Sequence, residues 1–321
     1  TMLTGFDYPI SRILEAAGAP VTWESVEAGA EAAEKYGNPM PEAVLESIRK
    51  NRVGLKGPLA TPKGKGYRSA NVTLRQTLEL YTGWRPVMSL PGVASRYENV
   101  DVVILRENTQ GLYSGIEHEV TPGTIVTLKV SSLDAAERIA RWAFEHAKTA
   151  GRRKISVCHK RSVLPLADGA FCETFFRVGE DYPFIEQEAV TLDDVTMGLA
   201  HDPSRFDVIL QQNLYADLIT DLCAGLVGGL GVVPGANVGD RFAVFEAVHG
   251  TAPDIARKGV DNPLAVLLSG CLMMDYIGER AVGQRVRDAV VTVLRAGKTL
   301  TRDLGGTANT AELTQAIIDE L

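Results

Sequence analysis

Strand-like and helical segments alternate along this chain of 321 residues, and that alternation limits the fold more than any other feature. Strands separated by helices return in parallel and bury both sheet faces, which is the α/β arrangement. Apolar residues keep helical spacing over about 39–50, 131–149, 168–178, 214–226, 263–279 and 284–297, with a last helix from about 311. In the 131–149 segment Ala135, Ile139, Trp142, Ala143 and Ala147 hold that spacing. Ser131 or Ser132 caps its start, Asp134 stands in the first turn and Gly151 stops it. The strand Ile155-Ser-Val-Cys-His159 follows at once, and Asn309 with Glu312 predicts a capping box on the last helix. No tandem repeat or low-complexity linker interrupts the pattern. A second domain would therefore be continuous with the first, with the chain crossing between them more than once.

Composition narrows the function classes. A hydrophobic content of 45% and a charge of 23% are those of a globular protein holding one large domain or two ordinary ones. The net charge of −7, with no Lys/Arg block, argues against a nucleic-acid partner. No apolar run is long enough to span a bilayer, and no secretory signal is recognisable at the start. Cys158, Cys172, Cys223 and Cys271 are scattered, with no C-x-x-C and no His at zinc spacing; they read as core residues in a reducing compartment. The expected location is the cytoplasm, or the mitochondrial matrix in a eukaryote. Asn71-Val-Thr73 then matches a glycosylation sequon by coincidence.

The most informative pair of residues is Asp217 and Asp221 in Asn213-Leu-Tyr-Ala-Asp-Leu-Ile-Thr-Asp221. Spacing of i, i+4 puts both carboxylates on one helix face with no cation between them. The strand-like Phe206-Asp-Val-Ile-Leu210 just upstream places this helix at the end of a buried strand, where α/β proteins keep their sites. Oxygen-only ligation suits Mg²⁺ or Mn²⁺ better than zinc. A solvated helix face with two acids would look the same in isolation.

A second signal is Lys56-Gly-Pro-Leu-Ala-Thr-Pro-Lys-Gly-Lys-Gly-Tyr-Arg-Ser-Ala-Asn-Val-Thr-Leu-Arg75. Its first half is a loop by its glycines and prolines. Ser69, Asn71 and Arg75 then gather two neutral donors and a guanidinium within two turns, and Arg85 and Arg106 add two more guanidiniums. Three arginines suit a small polyanion, because each can grip a carboxylate bidentately; surface ion pairing is the routine alternative for any one of them.

Over nearly its whole length, and most closely over 55–120 and 190–264, the chain resembles the metal-dependent β-decarboxylating dehydrogenases of the isocitrate/isopropylmalate dehydrogenase family. The pattern Arg68-Ser-x-Asn-x-x-x-Leu-Arg75, Arg85-Pro-Val87 and Arg106-Glu-Asn108 resembles the isocitrate branch, closest to its NAD-dependent members. That resemblance implies that Ser69 and Asn71 hold the substrate γ-carboxylate while Arg75, Arg85 and Arg106 hold the α- and β-carboxylates. It implies Tyr113, in Gly111-Leu-Tyr-Ser-Gly-Ile-Glu117, as the proton donor to the enolate left by decarboxylation. Lys160, after His159, would assist removal of the hydroxyl proton, and Asp193 would be a third metal carboxylate beside Asp217 and Asp221. Lys160 and Asp193 would reach across a dimer interface into the neighbour's site.

No G-x-G-x-x-G fingerprint follows a first strand, and Gly64-x-Gly66 lies in the substrate loop. By resemblance the dinucleotide is held instead by His249-Gly-Thr-Ala-Pro-Asp254, that is His249, Gly250, Thr251, Ala252 and Asp254, with Asn262 near the adenine. An aspartate at 254 accepts hydrogen bonds from ribose hydroxyls and repels a 2′-phosphate, whereas NADP-using members carry lysine there. NAD is the expected cofactor, with Mg²⁺ or Mn²⁺.

Two stretches depart from the family. Thr1-Met-Leu-Thr-Gly-Phe-Asp-Tyr-Pro-Ile10 runs almost straight into Arg12-Ile-Leu-Glu-Ala-Ala-Gly18, where members carry a Gly-Asp-Gly-Ile-Gly-Pro-Glu loop and more of the following helix. His159-Lys-Arg-Ser-Val163 stands where relatives read His-Lys-Ala-Asn. Arg161 either recognises a more anionic substrate, such as a phosphonate analogue, or pairs with an acid elsewhere. The expectation is an α/β, two-domain isocitrate/isopropylmalate dehydrogenase-like fold with a cleft between the domains. Residues 1–80 and 228–321 would form the large, cofactor-binding domain, and 81–227 the small domain of substrate, metal and dimer contacts. The expected activity is NAD-dependent oxidative decarboxylation of isocitrate by a homodimer with shared active sites, without nucleic-acid or membrane partners. Two readings stand beside it: a dehydrogenase of specialised metabolism for another 3-substituted malate, and a non-catalytic regulatory subunit of a heteromeric enzyme.

Overall fold

Among the described residues ten strands join in one sheet and two form a separate hairpin. A computed structural model describes residues 1–3, 7–62, 67–251 and 258–321. The strands are β1 (Met2–Leu3), β2 (Ser25–Val26), β3 (Val53–Lys56), β4 (Thr82–Met88), β5 (Asp101–Glu107), β6 (Gly111–Thr121), β7 (Thr124–Val130), β8 (Lys154–His159), β9 (Glu186–Thr191), β10 (Val208–Gln211), β11 (Pro234–Val238) and β12 (Ala243–Ala247). The helices are α1 (Asp7–Ala16), α2 (Ala30–Tyr36), α3 (Glu42–Asn51), α4 (Ala70–Thr77), α5 (Leu133–Ala150), α6 (Ala167–Gly179), α7 (Leu192–His201), α8 (Asn213–Leu226), α9 (Leu264–Tyr276), α10 (Arg280–Ala296) and α11 (Thr310–Asp319).

The sheet order is β2-β1-β3-β12-β11-β4-β5-β10-β8-β9, and β6 pairs with β7 alone. Pairing is parallel at both ends of the sheet and antiparallel where β12, β11, β4 and β5 meet. Strands drawn from residues 1–80 and 228–321 stand together on one side, and those from 81–227 on the other. The seam is the β11–β4 ladder, with Ala236 opposite Trp84 and Asn237 opposite Gly83.

Helices cover both faces, which is why β5, β10 and β12 are nearly continuous runs of apolar residues. On the face of Leu55, α9 packs against α1, with Gly270 letting Leu14 and Ile10 approach. On the other face Gly54 lies against Ile48 of α3. Phe144 of α5 and Phe175 of α6 stack at 5.0 Å over Val103, Leu105, Val157 and Leu210. α8 lies across β4 and β5, burying Ala216 and Ile219 with Ile104 and Ile209. α9 is apolar on almost every side and almost wholly buried, as a helix in the middle of the molecule must be.

Local sequence explains the element ends. Ser132 accepts from the Ala135 amide at the start of α5, and Gly151 closes that helix at φ 69°. Asn309 and Glu312 form the expected reciprocal cap on α11. The helix expected over about 263–279 stops at Tyr276, because Gly278 turns the chain at φ 94°. α2 and α7 were not anticipated; α7 is capped by Thr191, which accepts from the Asp194 amide.

Candidate active site

The strand register lays a row of polar residues across one sheet face. Lys56 pairs with Glu246, Glu246 with Gly235, Asn237 with Gly83, and Gly83 with Arg106. Because side chains alternate along each strand, Lys56, Glu246, Asn237, Arg85 and Arg106 all project from that face. Gly83 has no side chain to fill the space: a Cβ there would stand 3.0 Å from Arg106 Cβ and from Asn108 Oδ1.

Glu246 anchors one end of the row. Lys56 Nζ contacts its Oε2, while Arg75 Nη2 at 2.8 Å and Asn237 Nδ2 at 2.5 Å donate to its Oε1. Asn108 in turn donates to Asn237 Oδ1 at 2.9 Å. Burial opposes the charge on Glu246, and Lys56 and Arg75 overcome it, holding the carboxyl well below its ordinary range. A cavity of about 150 Å³ opens over this group, lined by Asn71, Arg75, Arg85, Glu246, His249 and Gly250 among others. Two polar atoms around it, Asn71 Oδ1 and Arg75 Nε, are buried without a partner. Such atoms have hydrogen-bonding capacity left for a ligand.

Asp217 anchors the other end. Arg106 Nη1 contacts its Oδ1, the Tyr113 hydroxyl contacts its Oδ2, and Arg85 Nη1 approaches to 3.8 Å. Arg106 is buried and held in place by Asn213, whose Oδ1 accepts from Nε at 2.9 Å and Nη2 at 2.7 Å. The same guanidinium sits 4.9 Å over the Tyr113 ring. Burial works against the charge of Asp217, but Arg106, Tyr113 and Arg85 bring its carboxyl below the ordinary value. Asp221, one turn on, goes the other way: burial and the neighbouring Asp217 charge raise it. Burial and the bond to Asp217 push the Tyr113 phenol up, so it stays protonated at neutrality and able to donate. Arg85 is pushed down to about 9 by burial and by Arg106 and Arg75. Lys56, Arg75, Arg85 and Arg106 thus set four cations against the carboxylates of Glu246, Asp217 and Asp221.

Lys160 and Asp193 lie elsewhere in the chain. Lys160 follows β8, Asp193 opens α7, and the ammonium contacts the Asp193 carboxylate while neither touches Asp217. Among the described residues no three His, Cys, Asp or Glu side chains gather as a metal site.

A model of the family described as isocitrate/isopropylmalate dehydrogenase matches residues 9–320. The chain belongs to the isocitrate/isopropylmalate dehydrogenase family. It is 45% identical over 313 residues to an Arabidopsis thaliana protein named isocitrate dehydrogenase [NAD] catalytic subunit 5, mitochondrial, covering 97% of this chain and 84% of that one. It is 42% identical to a mitochondrial protein of Dictyostelium discoideum named as a regulatory subunit of NAD isocitrate dehydrogenase, over 97% of this chain and 87% of that one. The crystal structure of isocitrate dehydrogenase from Methylococcus capsulatus superposes with a TM-score of 0.95 at 41% identity, covering 99% of this chain and 98% of that one. The α/β fold is that of the isocitrate/isopropylmalate dehydrogenase family.

Within this family frame, the residues expected for substrate fall into place unevenly. Asn71, Arg75 and Arg85 share one cavity with His249 and Gly250 of the expected cofactor loop, and Arg106 adjoins Arg85 at Asp217. Ser69 is the cap residue of α4 and makes no capping bond with its side chain. Thr251 follows Gly250, while Ala252 and Asp254 lie outside the described residues, as does Gly64-x-Gly66. Asn262 is engaged within the chain: its Oδ1 accepts from the Leu264 amide at 2.9 Å and its Nδ2 donates to Asp303 at 2.8 Å. Lys56, Glu246 and Asn237 were missed by sequence reasoning. The available signal was a glutamate inside the otherwise apolar run Phe242-Ala-Val-Phe-Glu-Ala-Val248, since a charge in a strand covered on both faces needs a reason.

Proposed function

We propose that this protein oxidatively decarboxylates a 3-substituted malate with NAD, and that the substrate is isocitrate, released as 2-oxoglutarate and CO₂. The observation that carries this reading is that Arg75 and Arg85 line a cavity together with His249 and Gly250, while Arg106 adjoins Arg85 at Asp217. Three guanidiniums on one face suit a small polyanion, whose α- and β-carboxylates they can grip. Asn71, through its Nδ2 amide, and Ser69 at the head of α4, through its hydroxyl, would donate to the γ-carboxylate.

The carboxylate pair on α8 fits a hard divalent cation, because Asp217 and Asp221 stand one turn apart on one helix face, where burial and the Asp217 charge both raise Asp221 and a cation would offset both. Asp217 and Asp221, with Asp193 of a second copy, would hold Mg²⁺ or Mn²⁺. When bound, the cation supplies Lewis-acid charge beside the substrate hydroxyl, and NAD supplies the acceptor for the C2 hydride. Lys160 would take the hydroxyl proton, and Tyr113, protonated against Asp217, would return one to the carbon that loses CO₂. Arg75, Arg85 and Arg106 orient the carboxylates and do no proton work. The contact of Lys160 with Asp193, and not with Asp217, within one chain supports a homodimer with shared sites. The large domain would comprise 1–80 and 228–321, and the small domain 81–227, with the β11–β4 seam bending as the cleft closes.

The shared chemistry leaves room for a substrate more anionic than isocitrate. Arg161 has no ion-pair partner among the described residues and lines, with Arg205, Ser162 and His159 but also with the carboxylates Glu188 and Asp194, an open pocket of about 440 Å³. The test is NADH formation with Mg²⁺ and NAD on isocitrate, homoisocitrate, isopropylmalate and a phosphonate analogue. Turnover of isocitrate above the others supports the proposal, and turnover of another malate in its place overturns the substrate. Silence on all four while isocitrate still binds would make this a regulatory subunit.

A further inference from the structure

Asp168, in the first turn of α6, is fully buried, yet the site described above does not use it. Its carboxylate receives four donors from three segments of the chain. Lys129 Nζ of β7 stands 2.5 Å from Oδ1, and Gln212 Nε2, just before α8, donates to Oδ1 at 3.2 Å. The backbone amide of Lys160 donates to Oδ2 at 2.7 Å, and the Tyr215 hydroxyl of α8 donates to it at 3.1 Å. Lys129 also lies 4.7 Å over the Tyr215 ring.

These partners fall on the three elements that carry the proposed chemistry. Tyr215 is two residues before Asp217 on α8, and β7 pairs with β6, which carries Tyr113. Lys160 begins the turn after β8, where its carbonyl accepts from the Val163 and Leu164 amides at 2.9 and 3.0 Å. The chain from Lys160 to Asp168 is therefore a loop folded back on itself and closed by the Asp168 side chain. A buried carboxylate is retained only when every lone pair is answered, and here a main-chain donor at the lysine is one of the answers.

We propose that Asp168 is the positioning residue for Lys160: its buried carboxylate fixes the Lys160 peptide to α8 and to the β6–β7 hairpin. The reach of the Lys160 side chain is then set by the helix that bears Asp217 and the hairpin that bears Tyr113. This inference rests on the reading that Lys160 moves a proton. A lysine whose peptide is free to rotate still carries its charge but spends less time at the reacting hydroxyl. The loss belongs in kcat, not in binding.

Asp168→Asn and Asp168→Leu, each made together with Lys129→Met, test it in the full-length dimer. Removing Lys129 leaves neither variant with an unpaired buried charge, and Asn and Leu match Asp in shape. Only Asn can still offer an oxygen to the Lys160 amide. The Leu pair should show a kcat lower than the Asn pair by about 10- to 100-fold, with KM for substrate and NAD within about twofold. In parallel, hydrogen exchange at the Lys160 amide should be fast in the Leu pair and protected in the Asn pair. Equal kcat per folded dimer overturns the proposal, as does equal protection of that amide. The exchange experiment needs no turnover, so it decides the positioning even if the dehydrogenase reading fails on every malate.

Discussion

Asp217 shows how one side chain can be read at two depths. Its i, i+4 relation to Asp221 follows from spacing alone, and α8 forms where that spacing requires. Its partners Arg106 and Tyr113 are 111 and 104 residues away in sequence. Only the β4–β5 register and the return of β6 bring them there. Asp217→Asn should lower turnover by about 10³-fold while the far-UV spectrum stays near that of wild type. Arg106 keeps Asn213 as a neutral partner but loses a countercharge, so a lowered melting temperature accompanies the loss of turnover. Undiminished activity with Mg²⁺ would remove Asp217 from the proposed metal set. At residue 254 charge is the discriminating property. Asp254→Lys should erode the preference for NAD over NADP, measured as the ratio of kcat/KM values, and an unchanged ratio would remove that role. Arg161 was legible only as an oddity. Its sequence neighbours do not tell whether it pairs, and the fold leaves it beside an open pocket without an ion pair among the described residues.

Among elements, β3 and β12 carry the most consequential contact. A lysine ending one strand and a glutamate inside another are unremarkable until parallel pairing sets Lys56 opposite Glu246. Neither side chain is more than about a tenth exposed. Replacing Glu246 with Gln would leave Lys56 and Arg75 as buried cations without a countercharge, at a cost of about 3–5 kcal/mol in urea unfolding. The folded Glu246 carboxyl lies below its ordinary value of 4.5, so its stabilising effect is fully present above that pH. That effect is lost as the pH falls through the folded value. The urea midpoint of wild type should therefore fall on acidification below 4.5 more steeply than that of Glu246→Gln. Parallel acid limbs for the two proteins would contradict the buried charge. Element boundaries were easier to read than this contact. Caps such as Ser132, Gly151 and Asn309 act within one turn, whereas strand pairing acts across the whole chain.

At the scale of the molecule, Lys160 contacts Asp193 and neither is in contact with Asp217 within one chain. If two copies complete each site, Asp217→Asn and Lys160→Met should each be nearly inactive alone. Unfolded and refolded together, they should recover about one quarter of wild-type activity. Half the dimers are then mixed, and one site in each mixed dimer is free of both defects. No recovery, with mixed dimers demonstrated by mass, would place the whole site within one chain. The 10-stranded sheet continuous across the β11–β4 seam also belongs to this scale.

Sequence by itself determined the α/β class, the run of most helices and their caps, and the residue types that a polycarboxylate, a divalent cation and NAD would require. These are properties of spacing within one or two turns, or of motifs read in order along the chain, and they survive without any knowledge of contacts. Tertiary structure alone decided which charges face each other. It placed Glu246 between Lys56 and Arg75, put Arg106 on Asp217, kept Lys160 away from that carboxylate, and buried Asp168 under four donors. The reason is physical: a side chain's charge state and partners depend on strand register, sheet order and burial, and each is set by the packing of segments far apart in the chain.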